Sequence, residues 1–547
     1  MNFRSKTCLL FMAASFTSCL QTEEVDLVVH NAIIYTVDNL FSTTEAMAIR
    51  NDTIVAIGAE REILNKYSAK EKVDAKKRPV FPGFIDAHCH FLGYGLSLQQ
   101  VDLVGTKSFD EVIERVVEFS KNSKAKWITG RGWDQNDWEV KEFPNKEILD
   151  SLFPETPVLI RRIDGHAALA NQKALNKANV TIESKINGGI IEMKDDKLTG
   201  ILIDNAIGLV GKAVPRTNKE QKIKALLDAQ QNCFAVGLTT VDDAGMSKSE
   251  IELIDQLQKE GKLKMKIYAM LSDTKENFDH YLITGPYKTE RLNVRSFKFY
   301  ADGALGSRGA CLLEPYSDII ESEHYGLILN EENHFKNYAQ KLLEMGFQMN
   351  THCIGDSANR LILDIYAEVL QGTNDKRWRI EHAQVVHSDD FQKFGKCNII
   401  PSVQPTHATS DMYWAKDRLG PKRVKGAYAF KDLLQQNGIL ALGTDFPVEG
   451  ISPFKTFYAA VARMDSNGFP KNGYQMENAL SREETLRGMT IGAAITNFEE
   501  NEKGSLEVGK KADFVILDRD IMKVSIEELL NTKVIATFVN GEKVYGN

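Results

Sequence analysis

Between Val80 and Gly443, short apolar runs alternate with amphipathic helical stretches. This alternation restricts the middle of the chain to a parallel α/β architecture. The runs are Val80–Asp86, Gly237–Asp242, Lys266–Leu271, Phe297–Ala301, Gln348–His352, Arg379–His382, Ile399–Val403 and Leu440–Gly443. Helical patterns fall between them, as at Glu250–Glu260, His334–Met345, Ser357–Leu370 and Phe430–Gln436. Eight such units predict a (β/α)8 barrel of the TIM type over residues 81–502. About 150 residues separate the first two runs, too many for a structureless loop. Residues 97–225 are therefore read as a folded insertion after the first strand that carries much of the substrate pocket. A final helix, Glu483–Phe498, is announced by Ser481 with Glu484 three residues on, a capping box.

The two ends of the chain are patterned differently. Asp26–Val29, Ala32–Thr36, Ala46–Ile49 and Thr53–Gly58 alternate with period two and are separated by Asn and Asp turns, which predicts a small antiparallel sheet. Residues 512–517 and 534–545 return to that style, and Asn540-Gly541 is a strong hairpin signal. Residues 25–80 and 503–547 are expected to build one composite β-sandwich flanking the barrel.

The N-terminus reads as a targeting segment. Arg4 and Lys6 precede an apolar stretch from Cys8 to about Phe16, too short to span a bilayer and suited to a signal peptide over 1–18. Small residues before Cys19 resemble a bacterial lipobox. That resemblance implies cleavage before Cys19, its acylation, and a short polar tether over 19–24. The expectation is an exported protein anchored to a bacterial membrane by lipid alone; an ordinary secretory signal is the plainer reading. Lys and Arg number 67 against 75 Asp and Glu, a formal charge of −8, which gives no general attraction to nucleic acid. Five cysteines remain beyond Cys8 and Cys19, too sparse for a disulfide framework. The sequence allows a homodimer without specifying one.

The chemistry sits where the apolar runs end. His88 and His90 are two apart and so share a strand face. His352 and His382 end two further runs, Asp445 follows another, and Lys298 lies inside an apolar one. Each histidine taken alone reads as a structural residue. Their joint placement, in a chain with 11 histidines, reads as a metal site. Lys298 lies four residues from Asp302, and an ion pair between them is the plainer account of that buried lysine.

The motifs PGFIDAHCH (82–90), GRGWDQNDW (130–138), RRIDGHAALAN (161–171), KFYADGALGSRGA (298–310), NTHCIGD (350–356), RIEHAQ (379–384), PSVQPTHATSD (401–411), GTDFPV (443–448) and KGSLEVGKKADFVIL (503–517) together resemble the amidohydrolase superfamily. The likeness is to its family-3 members of the YtcJ and N-substituted formamide deformylase type. It covers about 25–547 and implies a barrel hydrolase with one or two divalent ions, zinc by default. On that resemblance His88, His90 and Asp445 hold the more buried ion and His352 and His382 the second. Lys298, carboxylated by CO2, bridges both. Asp445 serves as general base and acid toward a metal-activated water. His407 donates to the developing oxyanion, or else caps its loop. Trp133, His166, Asp302 and Arg308 are the expected substrate-binding residues, with a packed insertion core as the other reading of Trp133 and Trp138.

The implied reaction is hydrolysis of a carbon–nitrogen bond other than a peptide bond, in a small amide or N-acyl substrate. The alternatives are a deaminase or cyclic-amide hydrolase on the same scaffold, and a catalytically inactive lipid-anchored binding protein. No G-x-S-x-G elbow and no phosphate loop occurs, which disfavours serine hydrolases and nucleotide-binding folds of the P-loop kind.

Overall fold

The computed structural model describes residues 22–122, 126–215, 217–319 and 323–546. The expected signal segment and Cys19 lie outside the described residues. Eight strands form the barrel: β1 (Phe84–Cys89), β2 (Leu238–Met246), β3 (Lys266–Ser272), β4 (Leu292–Tyr300), β5 (Gln348–Cys353), β6 (Arg379–His382), β7 (Ile400–Val403) and β8 (Ala441–Leu442). Each is hydrogen-bonded in parallel to the next. The last gap, between β8 and β1, is bridged by the Asp445 N–H donating to His88 O at 2.8 Å and by Asp86, which accepts from the Thr444 hydroxyl at 2.7 Å. Helices follow the strands as the periodicity predicts, for example Lys248–Lys259 and Asp356–Leu370.

Two expected elements are divided. The run Val80–Asp86 breaks at Gly83. Residues Pro79–Pro82 pair antiparallel with Phe514–Leu517 in an outer sheet, and only Phe84 onward enters the barrel. A Cβ at Gly83 would lie 2.3 Å from Thr239 Oγ1, so the chain crosses between the two sheets where no side chain fits. The final helix begins with the expected capping box at Ser481 and Glu484 but splits into Arg482–Gly488 and Ile491–Thr496. The Met489 carbonyl between them is taken by the Ile85 N–H of β1 at 2.9 Å, which replaces a helical bond with a barrel contact.

The insertion is a mixed six-stranded sheet running from Val101 to Asp204, with a core that includes Val101, Val112, Trp133, Trp138, Leu149 and Ile160. The chain ends form two sheets. One has four strands, all between Glu23 and Asp74. The other has six and mixes Ile33–Tyr35, Thr43–Thr44 and Pro79–Pro82 with three C-terminal strands. Leu27, Met47 and Ile54 of the first share one apolar cluster with Ile34, Phe514 and Phe538 of the second. The N-terminal pairing is not purely antiparallel: Glu23–His30 runs parallel to Tyr67–Asp74, and Ile33–Tyr35 parallel to Pro79–Pro82. The helix Glu60–Lys66 supplies the crossover that a parallel return needs. Asn540 and Gly541 both take positive φ, 53° and 76°, in the hairpin their sequence predicts.

Candidate active site

The residues expected to carry the chemistry gather at the C-terminal ends of the barrel strands, where barrel enzymes place catalysis. His88 lies in β1, Lys298 in β4 and His352 in β5. His382 closes β6, Asp445 follows β8, and His407 sits in the short helix Pro405–Asp411 after β7. Donor atoms of His88, His382 and Asp445 converge within 4.8 Å of one another, all buried. The expected division between two ions had placed His382 with the second. Its ring lies between His88, at 4.7 Å, and His352, at 4.6 Å, within reach of both groups. His90 stands at the cavity edge, its Nε2 3.2 Å from Asp445 Oδ1.

Alternation along β6 puts Arg379 and Glu381 on the inner face and should turn His382 away. His382 adopts φ +73° and Asp445 φ +63°, left-handed values rare outside glycine, and these aim both side chains inward.

The imidazoles are held by partners the sequence reading missed. Glu381 Oε2 accepts from His88 Nδ1 at 2.5 Å, with both side chains fully buried. Gln404 Oε1 lies 2.7 Å from His382 Nδ1. Each leaves Nε2 to face the centre, the usual arrangement behind a metal-binding histidine. Burial, and then the neighbouring imidazoles His166 and His352 respectively, push the pKa values of His352 and His382 well below the ordinary range, so both present lone pairs. Burial works to raise the Asp445 pKa, but hydrogen bonds with His407 and His90 outweigh it and hold the carboxyl well below its usual range. His407 Nε2 is 3.2 Å from Asp445 Oδ2 and its Nδ1 3.5 Å from Glu449 Oε1. Burial opposes its charge, yet those two carboxylates raise its pKa well above the ordinary value and keep it an imidazolium.

Asp445 Oδ1 is buried and has no aligned hydrogen-bond donor among the described residues; the imidazoles of His90 and His88 stand 3.2 and 3.8 Å from it. A buried carboxylate oxygen without an aligned donor is costly. Two neutral imidazole nitrogens beside it make a donor set that suits a borderline divalent cation, so the residues present fit a metal ion.

Lys298 Nζ lies 3.1 Å from His88 Nε2, and the side chain is wholly buried. The alternative pairing with Asp302 is not formed. Asp302 is also buried, and it accepts the backbone N–H groups of Ile354, Gly355 and Cys311 at 3.0, 2.8 and 2.8 Å. It therefore shapes the loops under His352 and is not among the residues that line the cavity. Burial lowers the Lys298 pKa to about 8.

A cavity of about 660 Å3 opens above this cluster. His166, delivered by the insertion, lines it with its ring 5.4 Å from His352 and its Nδ1 held by Asp204 at 2.6 Å. Trp133 does not line it. Its indole N–H donates to Ile160 O, and Trp138 donates to Thr106 O, both inside the insertion core. Arg308 turns to Asp318 at 3.0 Å, away from the cavity. The insertion instead presents Arg131, Asp134, Arg162 and Asp164, the polar neighbours of those tryptophans.

A (β/α)8 barrel with buried histidines and an aspartate at its strand ends defines a metal-dependent hydrolase. The chain belongs to the amidohydrolase family, whose model matches residues 71–545. It is 33% identical over 541 residues to the protein LONG AFTER FAR-RED 3 of Arabidopsis thaliana, covering 95% of this chain and 91% of that one. It is 25% identical over 555 residues to the N-substituted formamide deformylase of Arthrobacter pascens, covering 95% and 98%. The solved structure of an uncharacterized metal-dependent hydrolase from Pyrococcus horikoshii superposes with a TM-score of 0.74 at 30% identity, over 91% of this chain and 99% of that one.

Proposed function

We propose that the enzyme hydrolyses a carbon–nitrogen bond other than a peptide bond, in a small amide or N-acyl substrate. The observation that carries this reading is Asp445, an ionised carboxylate set between the imidazoles of His90 and His407, each 3.2 Å away, on the cavity floor. The deformylase among the relatives supports it, since its name describes removal of an acyl group from nitrogen. A divalent ion held by His88, His382 and Asp445, with His90 and His352 beside them, would polarise the carbonyl and acidify water. Asp445 accepts the proton as water oxygen adds to the carbonyl carbon. The His407 imidazolium donates to the oxygen on which charge develops. The carbon–nitrogen bond then breaks, and Asp445 returns the proton to the departing nitrogen.

Two finer readings belong to the same proposal. Lys298 forms no ion pair among the described residues despite full burial, which suits an amine that takes up CO2, losing one proton, to become an anionic carbamate ligand. Lys298→Ala should then lose metal, with short carboxylic acids restoring part of it, and Lys298→Arg should not restore it. Metal retained at wild-type stoichiometry in Lys298→Ala would exclude the bridge. The protein is also proposed to be exported and acylated at Cys19; membrane association unchanged in Cys19→Ser would exclude that.

The central test is metal analysis of the purified chain together with a screen of amides and N-acyl amines. One equivalent or more of divalent metal, with amine release that stops on chelation, is the expected result. Ammonia release from amino-substituted rings, without amide cleavage, would replace this reading with a deaminase.

A further inference from the structure

Arg131 stands on the insertion strand Ile128–Trp133 and lines the cavity. Its Nε and Nη2 both donate to the Ile163 carbonyl, at 3.1 and 2.8 Å. That fixes the plane of the guanidinium without neutralising it. Nη1 has no partner among the described residues, and Arg131 forms no ion pair there.

The next arginine along the cavity wall is satisfied in every respect. Arg162 bonds Asp134, Asp164 at 2.5 Å and Gln135 at 2.9 Å. Asp134 and Asp164 on the cavity wall are thus already engaged. Across the cavity, Glu449 accepts from the Ser410 hydroxyl at 2.6 Å and faces His407, while Asp411 accepts from the Tyr428 hydroxyl at 2.8 Å. Asp445 belongs to the catalytic cluster, and Asp137 is exposed. On the strands flanking Arg131, Arg161 stands in register on one side, in no ion pair among the described residues, and Asp102 on the other, where its carboxylate accepts the Val104 N–H at 3.0 Å. A half-buried guanidinium whose only hydrogen bonds go to one neutral carbonyl recovers part of its lost solvation and keeps its charge without a paired counterion among the described residues.

We infer that Arg131 is the substrate's anion-binding residue, so that the amide hydrolysed here carries a carboxylate, as in an N-acyl amino acid. Leu98 and Val104, 46% and 52% exposed, also line the cavity and offer the acyl portion an apolar rim. This assignment rests on the amide-hydrolase reading for the scissile bond but not for the binding of the anion.

The experiment separates the two. N-benzoylglycine and N-benzoylglycinamide differ only in the charge. Their dissociation constants, or KM values where a probe turns over, are measured on the metal-loaded enzyme, on Arg131→Gln and on Arg131→Lys. The wild type should prefer the carboxylate about tenfold or more, as one charge-assisted hydrogen bond gives. Arg131→Gln should lose that preference while binding the carboxamide as before and keeping its metal. Arg131→Lys, which keeps the charge without the fixed plane, should fall between. Equal affinity for the two probes, binding of neither, or a preference that survives in Arg131→Gln would overturn the assignment. A preference that Arg131→Gln removes, in an enzyme that hydrolyses neither probe nor any other amide, would leave the anion site standing and defeat the hydrolase reading alone.

Discussion

Charge is buried at both ends of this barrel, and the two ends treat it differently. Beneath the barrel, Lys266 at the start of β3 meets Asp513 at 2.5 Å, Asp513 also accepts the Asn540 N–H at 2.8 Å, and Lys503 pairs with Glu499 at 2.9 Å. Every one of these cations has a carboxylate, and the pairs join the outer sheets to the barrel. At the mouth, among the described residues, Lys298 has only an imidazole, Asp445 Oδ1 has imidazoles beside it but no aligned donor, and Arg131 has only a carbonyl. Buried charge that is fully paired holds parts together. Buried charge left short of a partner is held by the fold for something not yet bound.

That contrast is broken most directly at Asp445. Asp445→Asn keeps the volume and removes the base, so kcat should fall by about 10^3-fold or more while the melting temperature stays near wild type. A variant that melted early yet turned over normally would move Asp445 into the structural class.

Asp513→Ala makes the opposite demand. It strands the Lys266 ammonium in a site only 1% exposed, so global stability should drop by about 3–5 kcal/mol with kcat per folded molecule unchanged. Denaturant unfolding and active-site titration together decide this. A loss of kcat in the folded fraction would mean that the barrel floor communicates with the mouth.

Glu381 lies between the two behaviours. It is as buried as the floor pairs, but its partner is His88. Glu381→Ala should weaken metal binding by about 10- to 100-fold with a smaller change in stability, read by competition with a chelator. Metal affinity unchanged to within twofold would assign Glu381 to the structural network of Arg379 and Asp242, whose ion pair spans 3.0 Å.

The contrast also explains what the sequence made legible. Every barrel strand was visible, because each is a short run buried on both faces and bounded by polar turns. The candidate ligands were legible because histidines are few and their spacing followed the strands. Trp133 could be read either as cavity wall or as insertion core, because an indole's burial depends on which face of the insertion sheet it joins and no local period records that. Its neighbour Arg131, which does reach the cavity, lies in the GRGWDQNDW motif, but nothing in that motif says which of its side chains faces the cavity. Glu381 was passed over because it reads as one member of an apolar strand, and its meaning rests on His88, 293 residues away. The division at Gly83 and the split at Met489 are both set by contacts between sheets distant in sequence.

The smallest expected effect is the most discriminating. Lys266→Met combined with Asp513→Asn removes the floor pair as a unit and retains an oxygen acceptor for the Asn540 N–H. Replacing a buried ion pair by uncharged residues of similar volume is often near neutral, since the desolvation of both charges is no longer incurred. The double variant should therefore recover most of the stability lost in Asp513→Ala and end within about 1–2 kcal/mol of wild type, with activity intact. The matching exchange at the mouth, Lys298→Met with Asp445→Asn, should recover no activity and no metal, however well it folds, because those charges answer to a ligand and not to each other. If the mouth pair proved as exchangeable as the floor pair, the distinction between paired and unpaired buried charge would fail as a guide to function in this barrel.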